Sequence, residues 1–100
     1  MGVDEITLSY NTQRPDGAFL CQDDTMEPLI KSGNYVLVKQ NSRLNAGDFA
    51  IFYFDGEYHL RQYLNRNNKP VISSLNANIP EIPYVPIKHR CVGVVTGVIR

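Results

Sequence analysis

Thr25, inside the stretch CQDDTMEPLI at residues 21–30, places a hydroxyl where a short apolar run gives way to a turn. Two chemistries are open to it. At the start of a helical turn the first backbone N–H groups lack intrahelical acceptors. A hydroxyl there can be a nucleophile, with the Thr25 and Met26 amides as its oxyanion hole. The same position suits an ordinary helix cap, with Asp24 or Thr25 as the side-chain acceptor.

A nucleophile also needs a proton acceptor. His59 and Arg61 lie two residues apart on one extended run, so they share a face at roughly 6.5–7 Å spacing. An imidazole can take a proton, whereas a guanidinium is effectively never deprotonated in a protein. A Thr25–His59 pair is therefore one arrangement and a surface histidine the other. For Arg61 the plain reading is a structural ion pair with Asp24, Glu27 or Glu57. The lysines are Lys31, Lys39, Lys69 and Lys88, and none occupies that run.

The elements that would position these residues are mainly strands. Ala18–Gln22 follows the turn Arg14-Pro15-Asp16-Gly17, and Tyr35–Lys39 alternates Val36 and Val38 against Tyr35, Leu37 and Lys39. Phe49–Phe54 (FAIFYF) is apolar on both faces, which predicts a central strand. Asp55-Gly56 then supplies a two-residue hairpin turn into Glu57–Leu64. After a polar turn at residues 65–69 come a strand at Val71–Ser74, a proline-spaced connection NIPEIPYVP and a last strand at Arg90–Ile99. Pro80, Pro83 and Pro86 exclude a helix and favour an extended path. One helical turn is expected after Thr25, with Glu27 and Pro28 tolerated in its first turn and Gly33 ending the segment.

With 100 residues, 43% of them hydrophobic, the chain suits a single globular domain with one core. Ten basic and ten acidic residues cancel, and the longest basic run is Lys88-His89-Arg90. Such a balance argues against a nucleic-acid module in this segment. Cys21 and Cys91, with no CxxC partner or nearby histidine, read as two buried thiols in preference to a disulfide, and no cofactor or metal site is indicated. No apolar stretch approaches the ~20 residues of a membrane span and no signal peptide opens the chain, so the expected location is cytoplasmic.

Taken together, the blocks resemble the C-terminal peptidase-like domain of LexA and phage repressors, which shares its fold with signal peptidase. DDTMEPLIKSGNYVLV is similar to that family's nucleophile block, LNAGDFAIF to the next strand with its Gly-Asp start, and HLRQYL to its Val-Lys-Arg-Leu strand. VISSLNANIP is similar to the Ser-Asp-Asn block and CVGVVTGVIR to the closing strand. The resemblance runs in order from Gly17 to Arg100, leaving residues 1–16 as an N-terminal segment, part of a linker or first strand. It implies a compact, mainly β domain of the LexA/signal-peptidase type with one short helical turn after Thr25.

In the family a serine attacks the chain's own upstream segment and a desolvated, neutral lysine takes its proton. The resemblance puts Thr25 at the serine position and Arg61 at the lysine position, which implies a defective dyad. Asn34 and Leu75 also stand where the family has aspartates. Cleavage occurs there at Ala-Gly or Cys-Gly upstream of the nucleophile, whereas Ala46-Gly47 lies downstream and is explained by a turn.

The expectation is a catalytically degraded dimerisation and regulatory domain of a prophage-type or SOS-like transcriptional repressor. DNA would be bound through an upstream helix-turn-helix. Resemblance further implies a homodimer through the C-terminal strand, where Val92–Ile99 reads as an uncovered edge, with an internal strand capped by its neighbours as the alternative, and a RecA-like co-protease as partner. The alternatives are a slow self-cleaving peptidase with Thr25 as nucleophile and an accessory protein like UmuD.

Overall fold

The computed structural model describes residues 3–4, 16–40 and 43–99; Arg14 and Pro15 of the expected first turn lie outside them. The strands are β1 (Val3–Asp4), β2 (Gly17–Leu20), β3 (Tyr35–Lys39), β4 (Phe49–Phe54), β5 (Glu57–Arg66), β6 (Lys69–Ser73), β7 (Ile82–Pro83) and β8 (Arg90–Ile99). All pairings are antiparallel, in the order β2-β3-β8-β4-β5-β6-β7, and β1 pairs with β8. Among the described residues there is no helix.

The two-faced apolar pattern of β4 has its physical reason in two cores. Phe49 and Ile51 point into one cluster with Cys21, Met26, Val36 and Val98, while Ala50 and Phe52 pack on the other side with Ile72. A strand buried on both faces needs neighbours on both edges, and β4 has β5 and β8. Its hairpin with β5 turns at Asp55 (φ 52°) and Gly56 (φ 76°), the two left-handed residues a tight hairpin turn requires. The β5–β6 hairpin uses the same conformation at Asn67 and Asn68. Those strands therefore extend further than the polar turn expected at 65–69.

One expectation is corrected by the topology. β8 is an interior strand. β3 pairs with Val94–Ile99 on one edge, while β4 pairs with Arg90–Val94 and β1 with Val98–Ile99 on the other. The apolar character of Val92–Ile99 reflects burial within the sheet, with Val94, Val95 and Val98 nearly inaccessible.

The proline-spaced connection is extended at β7, and the Tyr84 N–H prolongs that pairing by bonding to Pro70 O at 2.9 Å. Beyond it the carbonyl of Val85 accepts the amides of Lys88 and His89, closing one turn. Pro86 fits that turn because a first-turn residue needs no N–H donor.

The Thr25 segment lies between β2 and β3 and is held from below. Met26 and Ile30, one helical turn apart, are both completely buried in the first core. Burial of two such side chains contributes about 1.5–3 kcal/mol each. The expected helical turn forms as two hydrogen bonds, Glu27 N–H to Asp24 O at 3.2 Å and Ile30 N–H to Met26 O at 2.9 Å, without growing into a helix. The Glu27–Pro28 peptide is cis. Asn34 closes the far side by accepting the Lys31 amide on its side chain at 2.9 Å, and Gly33 N–H bonds back to Cys21 O at 2.7 Å.

Candidate active site

Thr25 is buried, and every polar group it carries has a partner. Its hydroxyl donates to Asp23 Oδ1 at 2.7 Å and accepts from Arg61 Nη1 at 3.0 Å. Its amide donates to the same Asp23 oxygen at 3.1 Å. Its carbonyl accepts from the Ser74 hydroxyl and, at 3.0 Å, from the Asn76 amide. Asn76 N–H also reaches Ser74 Oγ at 3.0 Å.

The capping role expected of Asp24 or Thr25 belongs to Asp23, because a carboxylate two residues back reaches the Thr25 N–H without disturbing the turn. Asp24 contributes only its carbonyl, to Glu27. The Thr25 amide, assigned with Met26 to an oxyanion hole, is thus bonded to Asp23 in this state.

Arg61 comes to Thr25 from the sheet. Its partner across β4 is Ala50, and β6 begins pairing with β5 only at Gln62↔Ser73, so the chain leaving β6 at Ser74 is free to bend over Thr25. Arg61 Nη1 holds both Thr25 Oγ1 and the carbonyl of Leu60, the latter at 2.8 Å. The expected ion pair with Asp24, Glu27 or Glu57 does not form: among the described residues the salt bridges are Lys39–Asp16 and Arg66–Glu81. Burial lowers the Arg61 guanidinium from its ordinary value, and the nearby Asp23 and Cys21 oppose that shift. A guanidinium starts so high that it remains a cation under these influences.

His59 does not meet Thr25. Its ring stacks on Phe54 with centroids 4.0 Å apart, and its Nε2 lies 3.2 Å from the Phe54 carbonyl. No lysine nitrogen bonds the Thr25 hydroxyl, and Lys39 is paired with Asp16. The Ala46-Gly47 pair occupies a turn, as expected, with Gly47 at φ 97°.

Both cysteines are free thiols, Cys21 buried and Cys91 half-buried. Burial pushes the Cys21 thiol up, against an opposing influence from the Asp23 backbone, and the thiol donates to Asp23 O at 3.3 Å. The described residues contain no group of three or more ligating side chains that could hold a metal ion.

Beside Thr25 opens a cleft of about 500 Å³, lined by residues including Phe19, Cys21, Asp23, Glu57, Tyr58 and Leu60. Asp23, Ser74 and Asn76 are the site residues that reading the sequence missed. The last two stand in VISSLNANIP, a block the resemblance singled out without assigning them a contact.

The site is thus a buried hydroxyl on a turn, bonded by Arg61 of β5 and roofed by the Ser74-x-Asn76 loop. The sequence matches the Peptidase S24-like family over residues 2–96. The chain is a member of that family. The match covers almost the whole length, and it agrees with the resemblance to the C-terminal peptidase-like domains of LexA and phage repressors. A search of curated proteins found no match. Within the Peptidase S24-like frame, Thr25 and Arg61 occupy facing positions on the turn and on β5. No helix of the described residues is long and apolar enough to cross a membrane.

Proposed function

We propose that this Peptidase S24-like domain is the dimerisation and regulatory part of a prophage-type or SOS-like transcriptional repressor and that its self-cleavage chemistry has been lost. The observation that carries this reading is the bond from Arg61 Nη1 to Thr25 Oγ1. A base must present a lone pair to the hydroxyl proton, and this group presents a donor. Losing a positioned base costs about 10²–10⁴-fold in rate. The β-methyl of threonine further restricts χ1 and crowds the approach of a carbonyl carbon.

Incubating the full-length gene product at alkaline pH, with and without a RecA-like co-protease, tests the reading. The intact chain is expected to persist under both conditions. Self-cleavage abolished by Thr25→Ala would overturn it.

The homodimer and the upstream helix-turn-helix are supported by family resemblance. Because the backbone edges of β8 are largely taken within the domain, a dimer at that end would be formed by side chains. Sedimentation at micromolar concentration should give twice the monomer mass, and a monomer alone would remove this part of the proposal. One observation favours the second reading, a slow self-cleaving peptidase: the Thr25 proton is directed at a carboxylate, Asp23 Oδ1, at 2.7 Å. In that case cleavage would depend on Asp23 as well as Thr25.

A further inference from the structure

The turn between β7 and β8 closes on a histidine side chain. His89 is 4% exposed, and its Nδ1 lies 3.0 Å from the Val85 amide nitrogen. A backbone N–H can only donate, so Nδ1 presents its lone pair and the ring proton of the neutral imidazole sits on Nε2. The Val85 carbonyl in turn accepts the His89 amide at 2.8 Å. Both polar backbone groups of Val85 are therefore held by His89. The ring meets Phe54 of β4 edge-on at 4.9 Å and lies against Tyr84 at 6.2 Å. Tyr84 packs on Phe52 at 5.6 Å and on Tyr63 at 5.4 Å, so these rings fasten the turn to the second core.

Phe54 also carries His59 of β5, stacked at 4.0 Å, so both histidines of the chain meet one phenyl ring. A second proton would affect them differently. His59 Nε2 lies 3.2 Å from the Phe54 carbonyl, which can only accept, so that nitrogen is a donor and a second proton leaves its bond intact. On His89 the second proton falls on the accepting nitrogen. The titratable and charged side chains around His89 are Tyr84 on its own segment, Lys88 and Arg90 on either side, Cys91 on β8, His59 across Phe54, and Asp55 and Glu57 at the neighbouring hairpin. Among the described residues the salt bridges lie elsewhere, at Lys39–Asp16 and Arg66–Glu81. No carboxylate is paired with an imidazolium at this position, and its flanking residues are both cations.

We propose that the Val85–His89 turn is a proton-released latch: in mildly acidic solution a proton on His89 Nδ1 displaces the Val85 N–H, and the turn opens away from the Phe54 and Tyr84 rings. Imidazoles gain their second proton between about pH 5 and 8. Two N–H groups would then face each other across a gap suited to one hydrogen, and the Val85 donor would lose its acceptor. The latch is closed where His89 is neutral and releases as pH falls. Opening bares aromatic surface that backs the second core, and it does so whatever the state of Thr25.

Global stability also depends on buried Asp48, so the test is made atom by atom, by nuclear magnetic resonance of the full chain. Long-range proton–nitrogen spectra of the His89 ring are expected to show the Nε2–H tautomer at about pH 8. Amide exchange, corrected for its intrinsic rate, should show Val85 protection falling about tenfold between about pH 8 and about pH 5, while the Tyr84 N–H, bonded to Pro70 O, keeps its own. His89→Gln offers an acceptor that takes no proton and should abolish the fall, whereas His59→Gln should leave it in place. An Nδ1–H tautomer, Val85 protection that ignores pH, or loss of Val85 and Tyr84 protection together overturns the inference. An undiminished fall in folded His89→Gln does the same. The tautomer and the Val85 profile are read on the native chain, so they decide the matter even where that variant does not fold.

Discussion

Arg61 Nη1 donates to the hydroxyl of Thr25 at 3.0 Å, so the group facing the candidate nucleophile is a fixed cation. The same hydroxyl donates to Asp23. Oγ1 is thereby held between a positive donor and a negative acceptor, an arrangement that stabilises a resting hydroxyl and gives it no route to a strong base.

The double substitution Thr25→Ser with Arg61→Lys is expected to restore nucleophile reactivity. Lysine at a buried position can shift toward neutrality, which arginine cannot. Labelling with a fluorophosphonate probe should be undetectable in the native chain and at least ~100-fold faster in the double variant. Equal labelling of the two proteins would contradict the role given to Arg61.

Ser74→Ala removes the side-chain donor to the buried Thr25 carbonyl and the acceptor of the Asn76 amide. Asn76 N–H still reaches that carbonyl, so the loss should be near 1 kcal/mol. Urea denaturation provides the measurement. A change smaller than a few tenths of a kcal/mol would show that the loop does not hold the turn.

Asp48 gives stability a pH dependence of definite sign. It is buried, and burial raises its carboxyl above the usual value, against the opposing hydrogen bond from Asn45 N–H at 2.8 Å. The folded state therefore holds this proton more tightly than the unfolded chain. Its contribution is fully present below the unfolded value of 3.8 and is lost as pH rises through the raised folded value. Asp48→Asn keeps an acceptor for Asn45 and should flatten this part of the stability profile, read as urea midpoints from mildly acidic to neutral pH. A profile as steep as the native one would place the titration elsewhere.

Thiol labelling should be slow in the folded protein. Burial raises both Cys21 and Cys91, and the thiolate is the reactive form. Iodoacetamide at neutral pH is expected to modify half-buried Cys91 before buried Cys21, and both promptly in denaturant. Rapid labelling of Cys21 in the folded state would mean that the cleft opens far enough to bare the core beneath it.

Most of the strands were legible because their signals are local. The alternation in YVLVK, the two-faced apolar run FAIFYF and the Asp55-Gly56 turn each depend on residues within one or two turns of chain. Ser74 and Asn76 were not legible as site residues, since the carbonyl they hold is distant in sequence. The turn at Val85–His89 was not read from the sequence. Proline spacing forbids a regular helix but permits a single turn, which the His89 side chain also supports by accepting the Val85 amide at 3.0 Å.

By itself, the sequence determined the strand pattern and the family and singled out Thr25 and Arg61, because composition, periodicity and ordered blocks are properties of the chain alone. Only the tertiary structure decided that β8 lies inside the sheet, that Asp23 caps Thr25 and that Arg61 donates to Thr25 in place of an acidic partner. Thr25 and Arg61 are 36 residues apart, and which of several nearby charges a guanidinium meets is set by strand register and turn direction. Those are fixed when two cores close on opposite faces of β4, a condition that no single segment carries.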